Sequence, residues 1–192
     1  MTDPHVAAVV GSLREDSYTR IALERALREA GAAGASTDLI DLRELELPVF
    51  DADTREAGDA PELKRRIREA DSILLGTPVY HGSYAAPLKN ALDYCGFDEF
   101  EKKTVGLLAV AGGSFPITAL DHLRSACRAL DCWVLPHQAA VPRAGNAIEN
   151  GGFVDDELEE RVARLGEDSV QYANIGSEPP SFESEENVGA DD

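Results

Sequence analysis

The sequence predicts an α/β fold built on a five-stranded parallel sheet, and three observations carry the prediction. Five short apolar runs alternate with segments of helical periodicity over most of the 192 residues. The runs are continuously apolar instead of alternating with polar residues, as strands covered on both faces are. Stretches rich in glycine, proline and hydroxyl residues follow the first, third and fourth runs, at 11–20, 77–86 and 111–114.

The first strand is Val6-Ala7-Ala8-Val9-Val10. A helix follows, with Ala22, Leu23, Ala26, Leu27 and Ala30 on one side, Ser17 as N-cap and Gly31 as its stop. Thr37 to Leu42 reads as the second strand. The polar stretch after it, through Leu47-Pro48-Val49-Phe50 to Gly58, has no periodicity. Asp59-Ala60-Pro61-Glu62 has capping-box spacing with proline in the first turn, so a helix is expected to about Ala70.

Ser72 to Thr77 is the third strand, followed by a loop and a helix over 85–94 with Leu88, Ala91 and Leu92 on its apolar side. Thr104 to Val110 is the fourth strand. Leu120, Leu123, Cys127 and Leu130 then mark one helix face. Trp133 to Pro136 is the fifth strand, extendable through Ala139-Ala140-Val141. Gly145 to Gly152 reads as a loop. Asp155 to about Tyr172 is a last helix, acid-rich at its start as the macrodipole favours. The domain is expected to span 1–176. From Ser177 the chain carries six acids, no bases and two adjacent prolines, the composition of a disordered tail.

Right-handed crossovers give the strand order 2-1-3-4-5, with the switch point between strands one and three. The loops after strands one, three and four then gather at one sheet edge. Ligands bind at such an edge in open parallel sheets.

Composition narrows the partners. The net charge is −18, with 36 acids against 18 bases, and only four of the bases are lysines. Such a surface repels nucleic acid and anionic membranes. The acids are spread over every expected helix, which suits a salt-rich cytosol, where a Debye length of about 3 Å at molar salt removes the self-repulsion. The start of the chain lacks a signal-peptide pattern, and no apolar stretch is long enough to span a bilayer, so a cytoplasmic protein is expected. Cys95, Cys127 and Cys132 form no CxxC pair and no disulfide framework, and no metal site is expected.

The three loops carry the chemistry. Ser12, Ser17 and Thr19 offer hydroxyls, Arg14 a fork of donors, and the next helix its free amides, a combination that binds phosphate. Glu15 and Asp16 must then point outward. The loop is neither a P-loop nor a GxGxxG turn, which argues against a nucleoside triphosphatase and a dinucleotide dehydrogenase. Pro78-Val79-Tyr80 offers a rigid backbone edge and a flat aromatic face. Gly112 and Gly113 let backbone approach a ring and present amides to its carbonyl oxygens. Taken singly, each loop could be an ordinary connection; their shared edge makes the argument. No GxSxG elbow is present, and Thr77-Pro78 stands where a phosphoacceptor aspartate would be needed.

Gly11-Ser12-Leu13-Arg14 with Ser17 and Arg20, then Thr77-Pro78-Val79-Tyr80 with Gly82-Ser83 leading to Leu88-Lys89-Asn90-Ala91-Leu92-Asp93, then Ala111-Gly112-Gly113-Ser114, resembles the NADPH-dependent FMN reductase family. The resemblance runs from about residue 5 to 140. It implies a flavodoxin-like three-layer sandwich, FMN and NAD(P)H as cofactors, and a homodimer or homotetramer with the exposed side of the 85–94 helix at the contact. By position, Ser12, Arg14, Ser17, Tyr18 and Thr19 would hold the FMN phosphate. Pro78, Val79, Tyr80, His81 and Gly82 would line the flavin, with Gly112 and Gly113 on its pyrimidine side. Many family members carry Glu-Tyr-Asn where this chain has Val79-Tyr80-His81. The implied function is transfer of hydride from nicotinamide to bound flavin and on to a flavin, quinone, metal or azo compound, with no catalytic acid or base. The alternative is a flavodoxin-like electron carrier that does not oxidise nicotinamide; Arg14 in the phosphate loop favours the reductase.

Overall fold

A computed structural model describes residues 3–175. Five parallel strands form the central sheet: β1 (His5–Val10), β2 (Ser36–Asp41), β3 (Ser72–Tyr80), β5 (Thr104–Val110) and β6 (Trp133–Val141). Their order is β2-β1-β3-β5-β6, the expected arrangement of the five. One difference is a two-residue strand, β4 (Ser83–Tyr84), which pairs antiparallel with the end of β3. The acidic tail expected from Ser177 lies outside the described residues.

Neighbouring residues of each inner strand face opposite sides, and both sides are covered. Val6, Ala8 and Val10 of β1 join a core under α1 (Tyr18–Ala32) and the last helix, α7 (Asp156–Gln171). Ala7 and Val9 join a second core under α2 (Ala60–Glu69), α3 (Ala86–Tyr94) and α5 (Ile117–Ala129). This double burial is why the strands read as unbroken apolar runs. On the first side α7 lies against α1 so closely that a Cβ on Gly166 would stand 2.0 Å from the Ala26 carbonyl oxygen.

Local side-chain caps explain the starts of α1 and α7. Ser17 caps α1 by accepting the Arg20 amide at 3.2 Å, and Asp155 caps α7 by accepting the Leu158 amide at 3.0 Å. The capping box expected at Asp59 does not form. The Asp59 carboxylate instead accepts the Glu46 amide at 2.7 Å while the Asp59 amide donates to the Glu46 carbonyl at 2.9 Å. The two bonds close the aperiodic 46–59 segment on itself, a tertiary demand that outcompetes the local cap. A short helical turn, α4 (Phe97–Phe100), connects α3 to β5. Its buried Glu99 accepts the Gly96 amide at 2.8 Å and pairs with Arg68.

The segment expected as a loop over 145–152 is more ordered than that. It holds the helical turn α6 (Ala144–Ala147) and a hairpin of β7 (Ile148–Glu149) and β8 (Gly152–Phe153).

Candidate functional site

The first loop leaves β1 at Val10 and is fastened at once. The Gly11 amide donates to the Gly76 carbonyl at 2.8 Å. A Cβ at Gly11 would lie 2.8 Å from that oxygen and 2.9 Å from Leu88 Cβ, so the first loop, β3 and α3 meet without room for a side chain. Ser12 is buried, its hydroxyl 3.4 Å from the Arg14 amide. Arg14 is exposed, and its guanidinium makes no ion pair among the described residues. Glu15 and Asp16 are exposed, as an anion site in this loop requires.

Ser17 and Thr19 are buried, and Tyr18 packs on the α1/α7 core with its hydroxyl 3.8 Å from where a Cβ of Gly145 would stand. The amides of Tyr18 and Thr19, in the first turn of α1, have no intrahelical acceptor. Together with the helix dipole they favour an anion. Arg20, in the same stretch, is committed to the fold: it pairs with buried Asp41 at the end of β2.

The second segment corrects the expectation of a loop beginning at 77. β3 continues through Pro78, Val79 and Tyr80, and Val79 pairs with Tyr84 and Tyr80 with Ser83. His81 and Gly82 are the whole turn, with φ of 51° and 77°, the left-handed pair of a type I′ hairpin. Thr77, fully buried, closes the base: its hydroxyl accepts the Ala85 amide at 2.9 Å and donates to the Pro78 carbonyl at 2.9 Å. The hairpin leans on α5, with Ser83 Oγ 3.0 Å from His122 Nδ1. Pro78 and Val79 are half-buried, His81 and Gly82 exposed, and Tyr80 is 53% exposed. A rigid ribbon therefore presents these five residues.

Gly112 and Gly113 are exposed, and no atom of the chain lies within 4 Å of a Cβ placed on either. Neither has a positive φ. Nothing inside the chain requires glycine there, whereas close approach by a ligand would. The turn is held from below: the Arg143 amide donates to the Gly113 carbonyl at 2.8 Å and the Ala144 amide to Ala111 at 3.0 Å.

Because β1, β3 and β5 are adjacent, all twelve sequence-derived residues fall on one sheet edge, in three neighbouring segments. The donor set fits FMN. Hydroxyls, free amides and an unpaired guanidinium suit a phosphate dianion, and an exposed tyrosine with two open glycines suits a flat ring.

Two residues with work at this edge were not singled out from sequence. Asn90 pins the segment after β2, accepting the Phe50 amide at 2.8 Å and donating to the Pro48 carbonyl at 2.8 Å. Arg143 follows β6 with a φ of 46°. Asn90 stands in the Leu-Lys-Asn stretch, but its partners are some forty residues away in sequence. No local pattern marks Arg143.

Residues 4–146 match the family model of the NADPH-dependent FMN reductases. The chain is 34% identical over 180 residues to an FMN-dependent NADPH-azoreductase of Staphylococcus aureus, covering 86% of this chain and 93% of that protein. Its fold is similar to that of a solved NADH:FMN oxidoreductase, EMOB, at a TM-score of 0.68 and 22% identity over 92% of both chains. It is also similar to FerB, a flavoenzyme NAD(P)H:(acceptor) oxidoreductase from Paracoccus denitrificans. That TM-score is 0.70 at 23% identity, over 88% of this chain and 98% of the other.

Proposed function

The chain belongs to the NADPH-dependent FMN reductase family, and from that premise we propose a task for each of the three segments. The protein is an FMN-dependent NAD(P)H oxidoreductase. FMN, when bound, would supply the redox chemistry that links a nicotinamide hydride donor to a small acceptor such as a flavin, quinone, metal or azo compound. Ser12, Arg14, Ser17, Tyr18 and Thr19 hold the phosphate, with Arg14 and the first-turn amides as charge-complementary donors. Pro78, Val79, Tyr80, His81 and Gly82 form a preset wall for the ring, since the hairpin needs no ordering on binding. Gly112 and Gly113, where a ring could approach the backbone closely, would offer amides to its pyrimidine side. No side chain is assigned a proton-transfer role.

The observation that supports this reading most is the pairing of a rigid aromatic ribbon with an open glycine turn, on the same edge as a polar helix start. An exposed apolar rim supports the homo-oligomer reading. Leu13 and Val49 are 54% and 88% exposed and flank an apolar groove of about 500 Å³ along α3, closed by Leu45, Leu47 and Pro87. We place the contact of a homodimer on this face; sedimentation at low concentration tests it. Among the described residues no helix is long and apolar enough to cross a membrane. The acid-rich surface suits a cytoplasm of high salt.

The test is the visible spectrum of the protein with FMN in about 2–3 M salt, enough to screen its charge, with NADPH or NADH added anaerobically. Flavin bands that bleach rapidly with a nucleotide support the reductase. Bound flavin that bleaches only with dithionite points to an electron carrier instead, and no FMN binding sinks both.

A further inference from the structure

The segment after β6 touches both ends of the site. Its Arg143 amide is tied to the Gly113 carbonyl at 2.8 Å, and Gly145, two residues on, faces the Tyr18 hydroxyl at the start of α1. Arg143 itself is exposed, and its side chain forms no hydrogen bond or ion pair among the described residues. Building on the flavin reading above, we infer that Arg143 reads an oxyanion, a phosphate or a sulfonate, carried by the planar molecule that enters this site to exchange electrons.

Several observations converge on this. Arg143 is held in the left-handed region at a φ of 46°, which strains a residue with a side chain and persists only where the surroundings enforce it. The surroundings here are three backbone bonds: Arg143 to Gly113, Ala144 to Ala111 at 3.0 Å, and the Asn146 amide to the Arg143 carbonyl at 2.8 Å. The root of the side chain is thereby fixed beside the glycine turn while its guanidinium stays free. A planar five-donor fork suits a tetrahedral oxyanion better than any other side chain does.

Charge makes the need plain. A chain of net −18 repels an approaching anion, and Glu15, Asp16 and Glu149 all stand exposed at this edge. Arg14, also without an ion pair among the described residues, is taken by the cofactor phosphate in the reading above. Phe115, two residues beyond the Gly113 whose carbonyl accepts the Arg143 amide, is 83% exposed and leaves an aromatic face open on the same turn. An open aromatic face and a free guanidinium on two segments tied backbone to backbone match a planar ring system bearing an acidic oxyanion. A phosphorylated dinucleotide donor and a sulfonated aromatic acceptor both have that chemistry.

The experiment uses FMN-loaded wild type, Arg143→Asn, which tolerates the left-handed backbone, and Arg143→Lys, which keeps charge without the fork. Calorimetric titration with 2-naphthalenesulfonate and with neutral 2-naphthol gives a binding ratio independent of turnover. We expect the preference for the sulfonate to fall roughly tenfold in Arg143→Asn, as for a lost charge-assisted hydrogen bond near the surface, and to be partly kept in Arg143→Lys. Anaerobic stopped flow then separates the half-reactions. A fall in the NADPH-to-NADH ratio names the donor phosphate as the group read. A fall in the ratio of sulfonated to unsulfonated azo dye names the acceptor. Ratios unchanged in Arg143→Asn, in binding and in both half-reactions, overturn the inference while leaving the reductase reading standing. A wild type that binds FMN but is bleached by neither nucleotide overturns both.

Discussion

The buried hydroxyl of Thr77 accepts the Ala85 amide at 2.9 Å, bridging the two strands' ends at the root of the hairpin that carries Pro78 to Gly82. Replacing it with valine keeps the volume and removes the acceptor, leaving a buried amide unpaired. Thr77→Val is expected to lower unfolding stability by about 1–3 kcal/mol and to weaken FMN binding, whereas Thr77→Ser retains both. Urea unfolding and flavin fluorescence titration measure the two effects.

Gly11 sits where three elements converge. A methyl group there would meet the Gly76 oxygen at 2.8 Å and Leu88 Cβ at 2.9 Å, both too short to hold. Gly11→Ala is expected to cost about 1–3 kcal/mol through backbone displacement and to shift the loop carrying Ser12 and Arg14. Thermal unfolding with and without FMN should show a lower melting temperature and a smaller rise on adding the cofactor.

The Arg66 guanidinium donates to Asp38 Oδ2 at 2.8 Å and to the Leu39 carbonyl at 2.9 Å. The hydrogen bond with Arg66 holds the Asp38 carboxyl below its ordinary value, against an opposing effect of burial. A carboxyl depressed in the folded state adds stability above its unfolded pKa, about 3.9, and that stability is lost as pH falls through the folded value. Asp38→Asn should therefore be less stable than wild type at pH 7, with the difference shrinking below pH ~4. Denaturant midpoints measured across pH 2–7 at constant salt check the slope.

The thiols should be inert in the native protein. Burial, with Glu99 close by, pushes the Cys95 thiol up to about 12. A hydrogen bond with Cys127 and then burial push Cys132 up as well, and Cys127 is fully buried. The thiolate is the reactive form, so an aromatic disulfide reagent at pH 8 should label none of the three within minutes and all three in urea. Fast labelling of Cys95 in the folded state would contradict its environment.

The strands were legible because double burial writes itself as uninterrupted apolar residues: Val6 to Val10 and Val105 to Val110 need no partner information to be recognised. The site was legible for a related reason, since topology alone sends the ends of β1, β3 and β5 to one edge. What escaped depends on distant partners. Asp59 has every local mark of a cap, yet its carboxylate is drawn to Glu46, thirteen residues earlier. Asn90 reads as a surface helix residue until Phe50 and Pro48 arrive against it.

Two hairpins were passed over for different reasons. His81-Gly82 is a weak turn signal, because such turns favour Asn, Asp or Gly in the first position, and its form is supported by Thr77 and by contact with α5. Asn150-Gly151, with φ of 49° and 81°, is the strongest two-residue hairpin signal there is. It was hidden because the strands it joins are only two residues long and lack an alternating pattern.

The fit of α7 against α1 at Gly166 has a consequence for the protein's birth on the ribosome. Leu158, Val162 and Leu165 share one core with Val6, Ala8, Leu23 and Leu74, so β1, made early, is covered on this side by a helix made well over a hundred residues of chain later. Roughly 60 residues separate Val110 from the end of α7, which at translation rates of about 5–20 residues per second leaves that side covered by α1 alone for some seconds. During that interval Val6, Ala8 and Leu74 lack the cover that Leu158, Val162 and Leu165 provide, and a stop codon that removes α7 would make the lack permanent.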